Sequence, residues 1–144
     1  MAAYHLRPAT ESEKNRIFES YRDTVGPYVA ETWGWDESFQ TANFWKHHPL
    51  RDFKIIQVEH SFGGGLYIEE DESDLYIRMI FLLPEFQGIG IGTRLVTDIH
   101  SLARVKGKGL SLKVIRCNPA KKLYDRLGFA VTGQDDSSYD MRWA

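Results

Sequence analysis

The chain has 144 residues, of which 42% are hydrophobic, 13% aromatic and 26% charged, and its formal net charge is -2. This length and composition are typical of one globular domain spanning 1–144, and the near-neutral charge argues against a nucleic-acid partner. The single cysteine, Cys117, excludes an intramolecular disulfide and indicates a reducing compartment. Residues 1–7 are too polar for a secretory leader, and no segment has the ~20 apolar residues of a membrane span. We therefore expect a cytoplasmic protein without nucleic-acid or membrane partners.

The opening segment predicts a strand followed by a helix. Residues 4–7 are the strand candidate, and the capping-box pattern at 10–13 starts the helix. Apolar residues at four-residue spacing mark one face of this helix: Ile17, Tyr21 and Val25. We expect the glycine and proline at 26–27 to end it.

The next segment, residues 28–36, has three aromatic residues around a glycine and is expected to be a loop. Asp36 is a typical capping residue, so a second helix should start there and stop before Pro49. His47 and His48 near the end of that helix are interpreted as surface residues. Neighbouring helical side chains point in different directions, and the sequence offers no further cluster of metal ligands.

The middle of the chain predicts three adjacent strands. Residues 53–59 and 66–70 should form a hairpin around the glycine-rich turn at 61–65. Residues 75–83 are apolar at most positions and predict a central strand. This meander differs from an alternating β-α-β pattern.

A glycine-rich turn between a buried strand and a helix is the sharpest local feature of the sequence. A helix start has about four unpaired amides and a positive dipole end, and glycines let an anion approach them. The turn therefore suits a phosphate group, although a tight structural turn explains the same residues in isolation. The phosphate-binding loop of nucleotide hydrolases needs Gly-Lys-Ser/Thr, but Gly92 is followed by Thr93 and Arg94. The dinucleotide-binding fingerprint needs Gly-x-Gly-x-x-Gly, and the glycines of this turn do not complete that spacing.

The rest of the chain predicts a helix, a strand, a short helix and a hairpin. The first helix has one apolar face, formed by Ile91, Leu95, Ile99 and Leu102. A strand at 110–114 follows, and Asn118 then starts a short helix that Gly128 stops. Residues 129–132 and 139–143 predict the closing hairpin. Cys117 is interpreted as a small, buried structural residue.

Two motifs in the C-terminal half resemble those of the GCN5-related N-acetyltransferases. The pattern Gln87-x-x-Gly90-x-Gly92 resembles the acetyl-CoA-binding motif of this superfamily, and residues 118–129 resemble its second signature. The first half matches in element order only. The resemblance implies an α+β (α/β three-layer) fold, in which helices flank a mixed, mostly antiparallel central sheet with splayed central strands.

The resemblance also implies roles for individual residues. The family's loop amides bind the coenzyme A pyrophosphate, its central strand pairs with pantetheine, and an asparagine after the fifth strand contacts the cofactor arm. These cofactor-binding roles correspond to Ile80, Phe81, Leu82, Gln87, Gly88, Ile89, Gly90, Ile91, Gly92, Thr93 and Asn118. The family's tyrosine that protonates the leaving thiolate corresponds to Tyr124, for which packing as a core aromatic is the alternative. The amide of Leu82 is a candidate donor to the carbonyl oxygen, which gains negative charge during acyl transfer.

The acceptor site of this family lies between the early helices and the sheet centre. Our candidates there are Tyr28, Trp33, Trp35 and Glu69, each with an alternative as a packing or solvated residue. Arg78 occupies the strand from which some members supply a catalytic carboxylate, so the general base stays open. Glu69, Glu70, Glu31 and a chain of water molecules are the candidates.

The combined features predict an acetyl-CoA-dependent N-acetyltransferase that uses no metal. It would transfer the acetyl group directly to a primary amine of a small molecule, or alternatively to a protein amino group. A homodimer is compatible with the resemblance. The competing hypothesis is a non-catalytic module that senses acetyl-CoA: the missing strand carboxylate favours it, and the retained Tyr124 opposes it.

Overall fold

The structure, a computed structural model, describes residues 3–144, which form two compact units. The first unit contains the described residues up to Tyr67 together with Met79–Ile91. The second contains Ile68–Arg78 and Gly92–Ala144. The interpretation of 1–144 as a single domain stays a prediction.

Seven strands form one sheet: Tyr4–Pro8 (β1), Lys54–Val58 (β2), Ser61–Glu70 (β3), Asp74–Leu82 (β4), Gly109–Ile115 (β5), Ala130–Gln134 (β6) and Ser138–Trp143 (β7). Their order across the sheet is β1-β2-β3-β4-β5-β7-β6. The pairs β1–β2, β2–β3, β5–β7 and β6–β7 are antiparallel, whereas β4 and β5 are parallel. This mixed, mostly antiparallel sheet confirms the predicted fold class, and β4 is the central strand expected at 75–83.

The helices are Lys14–Thr24 (α1), Gly26–Trp33 (α2), Glu37–His47 (α3), Ile91–Val105 (α4) and Ala120–Leu127 (α5). A short 3-10 turn precedes α1, and there the Thr10 N–H donates to Glu13 Oε1 at 3.0 Å, as the capping-box pattern predicts. Asp36 Oδ1 accepts from the Phe39 N–H at 2.9 Å and caps α3, as expected. In the range 3–144, none of the helices is both long and apolar enough to cross a membrane.

The expectation that residues 28–36 form a loop is wrong, because α2 occupies most of this segment. Gly26 and Pro27 end α1 as predicted but also begin α2, with the proline in the first turn. A proline is tolerated there, since the first amides of a helix have no intrahelical acceptor. Tyr28 and Trp33 are therefore helical, and Gly34, with φ of 81°, ends the helix.

The glycine-rich segment at 61–65 is not the hairpin turn that the sequence predicts, because it lies inside β3. The turn falls at residues 59–60, where Glu59 adopts φ of 56°. A methyl group at Gly64 would overlap the carbonyl oxygen of Phe81, and one at Gly65 would lie 2.6 Å from Phe53 Cε1. Glycine is therefore required here for close packing in the sheet rather than for a tight turn.

The parallel pairing of β4 and β5 covers only part of each strand. It runs from Asp74 opposite Gly109 to Ile77 opposite Leu112. β4 nevertheless continues to Leu82 and β5 to Ile115. The paired residues all belong to the second unit.

The buried face of α4 differs from the predicted face at its last member. Ile91, Leu95 and Ile99 are at most 4% exposed, as expected, whereas Leu102 is 49% exposed. Ala103 is fully buried and takes its place in the core. The helical period explains the change, since Ala103 lies four residues after Ile99 and shares its face.

Candidate functional site

The glycine-rich turn connects β4 to α4 in an open conformation. Gly88 and Gly90 have φ of 74° and 91°, values that favour glycine. A methyl group at Gly88 would meet no atom within 4 Å. The Gln87 side-chain amide donates to the Leu82 carbonyl at 2.9 Å and fixes the start of the turn to the end of β4. These features give the turn a backbone conformation that depends on glycine and leave open space beside Gly88.

Within the first unit, Phe81 anchors the end of β4. Its side chain is 4% exposed, and its ring lies against the backbone of Gly65. The neighbouring Ile80 and Leu82 are half-buried. The Leu83 N–H donates to the Gly63 carbonyl at 2.8 Å, so β3 holds this end of β4 in place. The Phe81 side chain therefore packs in the core, and only the Phe81 backbone remains a candidate for contact with the cofactor.

The other residues predicted to bind the cofactor pyrophosphate lie in the glycine-rich turn or in the first turn of α4. Ile89 is 48% exposed, and Ile91 is fully buried at the start of α4. Gly92 and Thr93 lie in the first turn of that helix and are half-buried.

Asn118 in the second unit caps the short helix α5. Its side-chain Oδ1 accepts from the Ala120 N–H at 2.9 Å, and its own N–H donates to the Ile115 carbonyl at 2.9 Å. These two bonds fix the direction in which the chain leaves β5 and enters α5. The adjacent Cys117 is exposed, so its predicted burial is wrong. The residue lies in the turn after β5, outside the packed face of that strand.

Tyr124 lies on the buried face of α5. It is 6% exposed, and its ring meets Phe129 edge-on at 5.5 Å between centroids. Burial raises the pKa of the Tyr124 phenol to about 12. The side chain is therefore neutral through the physiological pH range and packs as a core aromatic.

The aromatic residues predicted to line the acceptor site have different surroundings. Trp35 packs on Tyr21 at 6.2 Å between ring centroids, and its indole N–H donates to Glu37 Oε2 at 3.1 Å. Tyr28 is half-buried, and Trp33 is 59% exposed. Trp35 is thus a packing residue of the first unit, and Trp33 presents its indole to solvent.

The candidate carboxylates at the end of β3 form ion pairs. Glu69 Oε1 lies 3.1 Å from Arg78 Nη1, and Glu70 Oε2 lies 2.7 Å from Lys108 Nζ. Hydrogen bonds from Lys108 and Lys106 lower the pKa of Glu70. A carboxylate with a lowered pKa is a weaker proton acceptor, so this environment disfavours Glu70 as a general base.

The structure corrects the expectation that both histidines are surface residues. His48 is 7% exposed, and its Nδ1 lies 2.7 Å from the Phe44 carbonyl oxygen. Its ring contacts Tyr67 edge-on at 5.5 Å. The aromatic spacing of α3 could have indicated this burial, because His48 lies four residues after Phe44. Within 3–144, no three potential metal-ligating side chains cluster together.

Residues 52–131, more than half of the chain, match a family model described as an acetyltransferase (GNAT) domain. The fold is similar to that of the PaiA N-acetyltransferase from Thermoplasma acidophilum, solved with coenzyme A, at a TM-score of 0.75 and 16% identity over 97% of this chain and 98% of that chain. PH1933 from Pyrococcus horikoshii is similar at a TM-score of 0.73 and 18% sequence identity over 97% of both chains. Arabidopsis thaliana Naa50, solved with the bisubstrate analogue CoA-Ac-MVNAL, is similar at a TM-score of 0.66 and 15% sequence identity over 98% of both chains. At these identities the structural likeness establishes the fold.

Proposed function

Because the chain belongs to the GNAT family of acetyltransferases, we propose that it is an acetyl-CoA-dependent N-acetyltransferase. It transfers an acetyl group directly to the primary amine of a small acceptor. The single observation that carries this proposal is the family match, which includes both the glycine-rich turn and Tyr124. Coenzyme A in the PaiA structure and the bisubstrate analogue in the Naa50 structure support acetyl-CoA as the donor and an amine as the acceptor.

In this proposal the residues of the turn hold the donor. The amides from Gly88 to Thr93 bind the pyrophosphate, for which the positive φ of Gly88 and the space beside it provide room. The backbone of residues 80–82 pairs with the pantetheine arm like an added strand. The Leu82 N–H donates to the thioester oxygen as negative charge develops on it, and Asn118 contacts the cofactor arm.

Tyr124 acts on the leaving group. Bound acetyl-CoA supplies the activated thioester. The acceptor nitrogen forms a bond to the carbonyl carbon, the carbon–sulfur bond breaks, and the Tyr124 hydroxyl donates its proton to the sulfur. The phenol is protonated at neutral pH, and burial raises its pKa further, to about 12. The donated proton prevents the thiolate from attacking the new amide.

The acceptor amine must lose a proton to become nucleophilic. Glu69 and Glu70 are engaged in ion pairs, and Glu31 is an exposed residue of α2. We therefore favour deprotonation through water molecules over direct transfer to one of these carboxylates. Trp33, with its exposed indole, remains the aromatic candidate for contact with the acceptor.

Replacing Tyr124 by phenylalanine tests the proposed proton donor. We expect kcat for coenzyme A release to fall about 10²- to 10⁴-fold, the typical contribution of general acid–base catalysis, while the Kd for coenzyme A changes little. Release is followed with a thiol reagent across a panel of amines. The matched control is Tyr139→Phe, which removes a hydroxyl bonded to Arg116 at 3.1 Å.

The same experiment separates catalysis from sensing. Equal loss of kcat in both variants would contradict a specific role for Tyr124. Tight binding of acetyl-CoA without turnover of any amine would favour the non-catalytic sensor.

A further inference from the structure

We propose that His100 and Trp143 are positioning residues for the proposed acetyl transfer, because their stacked rings hold Phe129 and, through it, the hydroxyl of Tyr124. The inference rests on the proposed N-acetyltransferase function, in which Tyr124 donates a proton to the leaving sulfur. The four side chains form one aromatic row, and all of them belong to the second unit.

The aromatic row begins with a stack between α4 and β7. The rings of His100 and Trp143 lie nearly parallel, with 3.6 Å between their centroids and 4° between their planes. His100 is 6% exposed, and its Nε2 lies 2.9 Å from the Ala144 carbonyl oxygen. Because a carbonyl oxygen only accepts, Nε2 is the donor in this bond. The stack and the hydrogen bond together hold Trp143 and the residue after it against α4.

Trp143 packs against the two residues that follow α5. A methyl group at Gly128 would lie 3.1 Å from Trp143 Nε1, so the indole covers the backbone at the end of this helix. The Trp143 and Phe129 rings lie 5.5 Å apart between centroids, at an angle of 57°. Phe129 is buried. Because protein interiors are close-packed, a shift of the indole is transmitted to both residues.

Gly128 and Phe129 in turn hold Tyr124. Their N–H groups donate to the Tyr124 carbonyl at 3.2 and 3.0 Å. The Phe129 ring meets the Tyr124 ring at 5.5 Å between centroids and an angle of 63°. The backbone and the ring of Tyr124 therefore both depend on residues against which Trp143 packs.

The position of the Tyr124 hydroxyl depends on these ring contacts. Burial raises the pKa of the phenol, and within residues 3–144 neither a hydrogen bond nor a charged group contributes to that shift. Packing of the ring therefore determines where the hydroxyl lies. A proton donor must come within about 3 Å of its acceptor, and a misplacement of about 1 Å costs on the order of 100-fold in rate.

A double-mutant cycle separates an effect through the Tyr124 hydroxyl from a loss of core packing. The substitutions are His100→Leu and Trp143→Leu, each made in wild type and in Tyr124→Phe. His100→Leu keeps the indole and carries the test if Trp143→Leu does not fold, as urea unfolding will show. His100→Phe restores a flat ring for the stack. Ile99→Val is the matched control, since it removes a methyl group from the buried face of α4.

Coenzyme A release is followed with acetyl-CoA and the amine that is acetylated fastest in a panel of amino acids, polyamines and short peptides. In wild type, both leucine substitutions should lower kcat by about 10- to 100-fold and leave the KM for acetyl-CoA within about twofold. His100→Phe and Ile99→Val should keep kcat within about threefold of wild type. In Tyr124→Phe, the leucine substitutions should change kcat by less than about twofold, because the hydroxyl that they displace is absent.

Each other outcome overturns the inference, and the outcomes differ in what they leave standing. Equal losses of kcat in the two backgrounds would show that the stack supports the fold and does not act through Tyr124. An unchanged kcat in wild type would have the same meaning and would leave the enzyme proposal intact. Turnover that Tyr124→Phe does not lower would remove the proton donor while acetyl transfer stands. Absence of turnover in wild type would contradict the enzyme proposal itself, and the inference with it.

Discussion

Tyr124 is both a core aromatic and the proposed proton donor. The burial that packs its ring against Phe129 raises the pKa of its hydroxyl to about 12, which keeps the phenol protonated but makes it a weaker acid. A proton donor in acyl transfer must remain protonated until the leaving sulfur becomes negative. The sequence is compatible with both packing and catalysis for this residue, and the structure shows its packing role.

Glu13 is the residue whose ionisation we expect to affect stability most clearly. Its Oε2 lies 2.6 Å from Arg7 Nη2, and hydrogen bonds from Arg7 lower its pKa to about 2. Because the folded pKa lies below the unfolded value, the stabilisation is present at neutral pH and is lost as the pH falls from about 4.5 towards 2. Glu13→Gln should therefore lower the free energy of unfolding by about 2 kcal/mol at pH 7 and have almost no effect near pH 2.

Urea unfolding of wild type and variant at several pH values measures this difference. Glu11→Gln, a substitution at an exposed site in the same turn, is the control and should change stability by less than about 0.5 kcal/mol. A Glu13→Gln difference that stays constant down to pH 2 would contradict the lowered pKa.

Among the secondary-structure elements, the turn between β4 and α4 is the one for which we predict the most specific effect of a substitution on coenzyme A binding. Alanine at Gly88 would have to adopt φ of 74°, which costs about 1–2 kcal/mol, and the turn should relax by moving its amides. We expect Gly88→Ala to raise the Kd for coenzyme A by about tenfold. Gly107 offers a matched control, because its φ is 72° and a methyl group there would also meet no atom within 4 Å.

Calorimetry with coenzyme A and urea unfolding should separate the two substitutions. Both should lose similar stability, but Gly107→Ala should leave the Kd within about twofold of wild type. An unchanged Kd in Gly88→Ala would show that the turn is structural and does not bind the pyrophosphate.

Some structural features of the helices and strands follow from local sequence patterns, whereas others depend on packing between residues that are distant in the chain. Capping by Asp36 depends on a local hydrogen bond, so its chemistry was readable from the sequence. Gly64 lies inside β3 because the backbone of Phe81, a residue distant in the chain, approaches it closely. The local sequence pattern does not predict this contact. Pro27 was ambiguous by itself, since proline can follow one helix or begin the next.

The candidate site was only partly predictable for the same reason. The glycine-rich turn and Asn118 form local structures, and their positions followed from the sequence. The burial of His48 and the exposure of Cys117 depend on which face of the fold each residue meets, and both expectations were wrong. The ion pair between Glu69 and Arg78 joins two strands and required the register of the sheet.

On the scale of the whole molecule, the structural likeness extends beyond the motifs. The family model covers residues 52–131, whereas the similarity to the PaiA N-acetyltransferase covers 97% of the chain. The helices of the first half, which matched the family only by their order, therefore belong to the shared fold. They include α2, which carries Trp33, the aromatic residue that we propose for contact with the acceptor.

Acetyl transfer itself is the most direct test of the proposed function. The protein is incubated with acetyl-CoA and a panel of amino acids, amino acid amides, polyamines and short peptides, and both free coenzyme A and acetylated product are measured by mass spectrometry. We predict that at least one primary amine gains an acetyl group in equal amount to the coenzyme A released, at a rate proportional to enzyme concentration. Coenzyme A binding without any acetylated amine across the panel would contradict the assignment of an N-acetyltransferase.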